Sequence, residues 1–259
     1  MPTVRALSRR IDAPVDLLIA GEFAPIVPLL ERQDYLSRVV ADPAWSLSQG
    51  WQPPNREDVI SPYDQTIHLG YRRWPEYPLP LETLYTFNTQ GDIPLGVQDL
   101  ALHEPWITNL PQAPPTEIVV GFSECHFELK VGLVVLLEEA LHQPLLVLNH
   151  DSRTRWAMER PMGGYPLSQP LPWIHMAGAI RNADLFLGCC SGLHVLAVAI
   201  GIPVVIVEPM EARHNPIFYP LGWDGPQVRV VKGLDGQPTW DARHVREVLE
   251  GVLERRASR

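Results

Sequence analysis

Ala183 to Pro209 reads ADLFLGCCSGLHVLAVAIGIPVVIVEP, and no other stretch of the chain says as much about its fold. An apolar run, Leu185–Leu187, stops at Gly188 and gives way to the small-residue turn Cys189-Cys190-Ser191-Gly192. An Ala/Leu/Val-rich helical segment follows, ends at Gly201-Ile202-Pro203, and leads into a second apolar run, Val204–Val207, broken at Glu208-Pro209. Strand, turn, helix, Gly-Pro stop and strand make a βαβ unit of a buried parallel sheet. The turn at such a strand's carboxyl end points backbone N–H groups and a helix N-terminus at whatever is bound, usually an anion.

The same grammar extends outward. Glu117–Gly121 is expected as a strand, Leu129–Leu141 as a helix and Pro144–Leu148 as the next strand. Trp173–Arg181 should form a helix, Asp184–Leu187 and Val228–Val231 strands, and a last helix should run from Asp241, a suitable N-cap, to about Arg255. Upstream, Val15–Ala20 and Leu36–Val40 read as strands, Ala24–Arg32 as a short helix despite Pro28, and Tyr63–Leu69 as a strand ending at Gly70. Residues 86–116 carry no strong period, and Pro111–Pro115 reads as a stiff linker. The expectation is an α/β protein with helices on both faces of its sheets, with domains at 1–112 and 113–259.

Composition narrows the function. The chain has 259 residues, 46% hydrophobic and 20% charged, as in a soluble globular protein. A net charge of -9 and pI near 5.4 argue against nucleic-acid binding, which needs a basic face. No apolar run reaches a membrane-span length and the start lacks a signal-peptide pattern, so a cytoplasmic protein without a transmembrane segment is the simplest expectation. Cys125, Cys189 and Cys190 form neither a disulfide framework nor a zinc spacing. Of the 21 Lys and Arg residues only Lys130 and Lys232 are lysines.

On these motifs the chain resembles glycosyltransferase family 9, the ADP-heptose lipopolysaccharide heptosyltransferases of GT-B fold. The family's C-terminal signature matches Ala183-Asp184, Gly188, Ser191-Gly192, Leu196-Ala197, Gly201 and Pro203-Val204-Val205 in register. Gly121-Phe122-Ser123 followed by Lys130 is similar to the family's strand, serine turn and lysine at the donor pyrophosphate. The likeness is good over about residues 115–232 and thin over 15–70. It implies two Rossmann-like domains facing across a cleft, the N-terminal one reduced because the family's first strand and its Gly-Asp loop, source of the proposed catalytic base, have no counterpart. It also implies a nucleotide-sugar donor as co-substrate, an acceptor hydroxyl on a saccharide, lipid-linked saccharide or protein, no metal and no further cofactor. Cys190 and Val195 stand where the family has Asp and His, with His194 one place earlier.

Several residues carry the implied chemistry. Ser191 and Gly192 could approach a phosphate at a helix N-terminus, or serve as cap and close-packing glycine. His194 suits either a phosphate or sugar donor or a core histidine. Cys189 and Cys190 suit small buried fillers better than nucleophiles. Ser123 and Lys130 form a second anion candidate. Glu124 beside His126 could move a proton from the acceptor. Glu208 follows a strand at the edge where ribose hydroxyls are gripped in many GT-B enzymes, and Arg213-His214-Asn215 could bind phosphate or sugar. Glu22, after the first expected strand, is the best substitute for the missing base, and Arg72 and Arg73 could grip an anionic acceptor. A metal site is not expected. The alternative to sugar transfer is a non-catalytic relative that senses a nucleotide or scaffolds a partner. A Rossmann methyltransferase or dehydrogenase lacks its G-x-G-x-x-G loop here. The sequence leaves a homo-oligomer open.

Overall fold

A computed structural model describes residues 1–46, 57–67, 69, 95–101, 103–121, 138–139, 145–148, 171–188, 192–208, 228–232 and 242–257. The chain divides into two compact units, Met1–Asn109 and Leu110–Arg259. The expected Leu129–Leu141 helix lies largely outside the described residues, as does the 149–169 loop.

The second unit is a parallel sheet of five strands: β3 (Thr116–Gly121), β4 (Leu146–Leu148), β5 (Ala183–Gly188), β6 (Val204–Glu208) and β7 (Val228–Lys232). Their order is β4-β3-β5-β6-β7, with neighbours parallel throughout. The strands are apolar on both sides because both faces are covered, as parallel sheets require. Ile118, Val120, Leu185, Leu187, Val205 and Val207 pack on one face against Val245, Leu249 and Val252 of the C-terminal helix, Ala242–Ala257. Residues one step out of phase face the other way, where helices Trp173–Arg181 and Gly192–Ile200 lie. Phe186 is fully buried there. The helix from Gly192 is apolar nearly all round, with Leu193, His194, Ala197 and Val198 buried among others, as a helix wedged between layers must be.

The first unit holds a parallel pair, β1 (Val15–Ala20) and β2 (Leu36–Asp42), and a helix Pro2–Ile11 that precedes both. In chain order the helices are α1 (Pro2–Ile11), α2 (Val27–Leu30), α3 (Glu57–Ile60), α4 (Trp173–Arg181), α5 (Gly192–Ile200) and α6 (Ala242–Ala257) among the described residues. Two expectations change here. Ala24–Arg32 is not one helix: Gly21–Ile26 is a 3-10 helix and α2 a single turn, because Pro25 and Pro28 each remove an amide donor. The described residues of Tyr63–Leu69 form a bend at Asp64 and irregular chain rather than a strand. Tyr63 to Thr66 are exposed, and the Tyr63 hydroxyl donates to the Asp16 carboxylate at 2.6 Å, so that stretch has no buried face to fix a ladder.

Residues 95–109 are tied to this unit by side chains rather than by strand pairing. Buried Arg5 donates to the carbonyls of Pro105 (2.5 Å), Leu100 (3.0 Å) and Ala101 (2.8 Å). Gln33 donates to Thr108 O (3.0 Å) and accepts from Thr108 N (2.7 Å). The Tyr35 hydroxyl donates to Trp106 O at 2.5 Å. Every buried backbone group needs such a partner, and these side chains supply it without a ladder.

Tyr35 gives this unit an alkaline limit. Burial pushes its phenol well above the usual range, and Arg5 opposes the rise only in part. A raised folded-state pKa means that its contribution is complete below the unfolded phenol pKa of about 10 and declines as pH climbs beyond it. Tyr35→Phe should cost about 1–2 kcal/mol at pH 8 through the orphaned carbonyl, and should flatten the stability loss above pH ~10. Urea unfolding of both proteins at pH 8 and at higher pH checks it; parallel losses in the two would exclude Tyr35 as the source.

Candidate functional site

In the second unit β3, β4, β5, β6 and β7 are the first to fifth strands, so the spatial order is 2-1-3-4-5. An open parallel sheet of this order binds ligands beyond the strands' carboxyl ends where the winding reverses, here between β3 and β5. Those strands end at Gly121 and Gly188, which are register partners. Both glycines are required by close packing. A Cβ on Gly188 would lie 2.3 Å from the Gly121 carbonyl oxygen and 2.7 Å from the Phe186 ring. One on Gly121 would lie 2.8 Å from both Phe186 and Leu193. The Phe186 ring therefore occupies the space that side chains at the two strand ends would fill, just beneath the reversal point.

The candidates distribute along this edge as follows. Gly192 is the first residue of α5, four residues after Gly188, and is exposed. A Cβ there would come within 3.1 Å of the Trp173 indole, so the glycine does permit close packing of α4 on α5. Its position also leaves the first N–H groups of a nine-residue helix directed past the carboxyl edge. His194 is fully buried in the same first turn. Glu208 is the last residue of β6 and pairs in register with Lys232 at the end of β7. That register pairing was not foreseen from sequence; only the strand order reveals it.

Ser123, Glu124, His126, Lys130, Cys189, Cys190, Ser191 and Arg213 lie outside the described residues, as do Arg72 and Arg73. By chain order, Ser123 follows β3 by two residues and Ser191 immediately precedes α5.

Glu22 belongs to the first unit. It is exposed on the 3-10 helix that follows β1, and its carboxylate accepts a hydrogen bond from the Ser46 hydroxyl. Gly21 N–H donates to Trp45 O at 2.9 Å, which holds the chain after β1 against the chain after β2. Ser46 was not singled out from sequence, because it lies 24 residues from Glu22 and nothing local marks it. Among the described residues no group of three or more His, Cys, Asp or Glu could hold a metal ion, and no helix is long and apolar enough to cross a membrane.

Comparison with known structures defines the fold. The Escherichia coli ADP-heptose lipopolysaccharide heptosyltransferase II superposes with a TM-score of 0.61 at 13% identity, covering 99% of this chain and 96% of that one. The glycosyltransferase family 9 protein of Veillonella parvula gives 0.65 at 12% identity, over 98% and 92%. The E. coli heptosyltransferase WaaC with ADP gives 0.60 at 12% identity, over 97% and 95%. The fold is thus that of the family 9, heptosyltransferase-like glycosyltransferases, as the sequence motifs implied. No family sequence model matches the chain, and no curated protein sequence does.

Proposed function

We propose that this protein is a glycosyltransferase that binds a nucleotide-activated sugar, ADP-heptose or a close relative, and transfers the sugar to an acceptor hydroxyl. The observation that carries the reading is the 2-1-3-4-5 sheet of a family 9 fold whose reversal point lies at Gly121 and Gly188, directly before the Ser123 and Ser191-Gly192 segments. The ADP bound in the WaaC structure supports the choice of nucleotide.

In this reading a carboxylate, Glu22 or Glu124, takes the acceptor proton and the acceptor oxygen attacks the anomeric carbon. The bond from that carbon to the diphosphate oxygen breaks and the nucleoside diphosphate departs. Backbone N–H groups at Ser191-Gly192, the Ser123 hydroxyl and the Lys130 ammonium hold its growing charge, a preorganised electrostatic contribution. Arg213 contacts phosphate or sugar and Glu208 the ribose hydroxyls, while fully buried His194 backs the first turn of α5 from inside the fold. No metal takes part. The domains 1–112 and 113–259 divide acceptor from donor binding, and the protein works in the cytoplasm.

Titration calorimetry with ADP-, GDP-, UDP- and CMP-sugars tests it. Saturable binding of an ADP-sugar is expected, weakened about tenfold or more, or by ~1.4 kcal/mol, in Lys130→Ala through loss of one charged phosphate contact. Folded protein that binds none of the four would overturn the reading. Cys190 and Val195, where the family has Asp and His, favour a second reading, in which the site binds the nucleotide sugar without turnover. Release of free nucleoside diphosphate on incubation with donor and acceptor, unaffected by a chelator, separates the two.

A further inference from the structure

Two turns meet at the carboxyl ends of β1 and β2. The strands are parallel and their last residues, Ala20 and Asp42, are register partners, so the chain leaves both on the same side. Residues that follow parallel strands at such an edge are the ones an α/β sheet offers to ligands. Glu22 follows β1 by two residues and Ser46 follows β2 by four.

The turn after β2 is braced from within. Buried Asp42 accepts from Ala44 N–H at 2.9 Å through its carboxylate, and from Trp45 N–H at 3.0 Å through its carbonyl. The turn after β1 lies directly on it. A Cβ on Gly21 would stand 3.0 Å from both Asp42 O and Pro43 Cα, and the Gly21 N–H donates to Trp45 O at 2.9 Å. One residue further along each chain, the Ser46 hydroxyl donates to Glu22 Oε1. Consecutive residues are thus joined twice, Gly21 to Trp45 through backbone and Glu22 to Ser46 through side chains. On the far side of Glu22 the 3-10 helix is closed by Val27 N–H donating to Ala24 O. An exposed carboxylate therefore stands on backbone fixed at both ends, gripped by a half-buried hydroxyl.

We infer that Ser46 is a positioning residue for Glu22, which makes Glu22 the carboxylate that takes the acceptor proton; this rests on the sugar-transfer reading. In that step the acceptor's proton passes to Glu22 while its oxygen bonds to the anomeric carbon and the bond from that carbon to the diphosphate oxygen breaks. A hydroxyl that donates to a carboxylate favours the ionised form, the form able to take a proton. It also fixes the carboxylate plane, where an exposed glutamate otherwise samples several rotamers. The elements packed most closely against the 3-10 helix are β1, β2 and α2. α2 carries no titratable side chain, and the strands carry Asp16, Arg38 and Asp42. Asp16 and Arg38 are register partners toward the amino ends, and Asp42 lies at the Glu22 end, bonded to Ala44 N–H.

Two measurements on the whole chain test it: nuclear magnetic resonance titration of isotope-labelled glutamate carboxyls, and ADP release from ADP-heptose with water as the acceptor. The Glu22 resonance is the one missing from Glu22→Gln. Ser46→Ala should move its midpoint to higher pH, and Ser46→Thr, which keeps the hydroxyl, should restore it. In turnover, Glu22→Gln should lose about 100-fold or more in kcat. Ser46→Ala should lose about tenfold in kcat, with KM for ADP-heptose unchanged and the acid limb of the pH profile moved to higher pH. Ser46→Thr should recover most of that loss. A Glu22 midpoint unmoved in Ser46→Ala, or ADP release undiminished in Glu22→Gln or Ser46→Ala, would overturn the inference and leave the transfer reading standing. Wild-type protein that binds no ADP-heptose sinks that reading instead, and the Glu22 midpoint still decides whether Ser46 governs the carboxylate.

Discussion

Gly188→Ala should destabilise the Leu110–Arg259 unit by about 3 kcal/mol or more, a large fraction of the roughly 5–15 kcal/mol that holds an ordinary domain folded. The added methyl would sit 2.3 Å from the Gly121 carbonyl oxygen, well inside contact distance. That oxygen is backbone of the interior strand β3, which is paired on both sides, so it cannot retreat without parting β3 from β5. No side-chain substitution nearby should repair the loss. Urea unfolding followed by circular dichroism measures it, and a change below about 1 kcal/mol would show that the strand ends can yield. On the proposed function, any surviving fraction should also lose affinity for an ADP-sugar.

Phe186→Ala should cost about 3–5 kcal/mol by emptying the space beneath the same two glycines. The ring is fully buried and, with Leu193, stands nearest to where a side chain at Gly121 would lie. Gly121→Ala makes a separate test, because its added methyl meets only side chains, Phe186 and Leu193 at 2.8 Å. Trimming the ring should therefore partly rescue it. In a double-mutant cycle, Gly121→Ala combined with Phe186→Leu should be more stable than the sum of the two single effects by about 1 kcal/mol or more. Strict additivity would mean that the ring does not fill that space. Gly121 and Gly188 thus differ in kind: one is required by a side chain that can change, the other by backbone that cannot.

The β5–α5–β6 unit was legible because three independent signals agree there. Leu185–Leu187 and Val204–Val207 are continuous apolar runs, Gly188 and Gly201 punctuate them, and Pro203 stops the helix. Helix α1 escaped notice for the opposite reason. Its buried side includes Thr3, Arg5 and Ser8 beside Val4 and Leu7, so burial there does not follow hydrophobicity. Arg5 is inside because three carbonyls need it, and those carbonyls belong to residues 100–105. Residues 95–109 lacked a period for the matching reason: side-chain donors, not a ladder, satisfy their backbone. At the candidate site, Ser123, Ser191 and Glu208 are proposed from their positions after apolar runs. The Glu208–Lys232 register and the Ser46–Glu22 hydrogen bond depend on which strands and turns become neighbours, and no local pattern encodes that.

The bonds from Arg5 span 95 to 100 residues, and this has a consequence for synthesis on the ribosome. α1 lies far upstream of these carbonyls, and its buried guanidinium cannot find all three until residues 100–105 have emerged. At about 5–20 residues per second, with the exit tunnel still to clear, the N-terminal helix waits many seconds with a charged group it cannot bury. Tyr35 and Gln33 wait on Trp106 and Thr108 in the same way. The first unit closes as one late event, when a single passing stretch of chain satisfies Arg5, Gln33 and Tyr35 together, only moments before the strands of the second unit begin to appear.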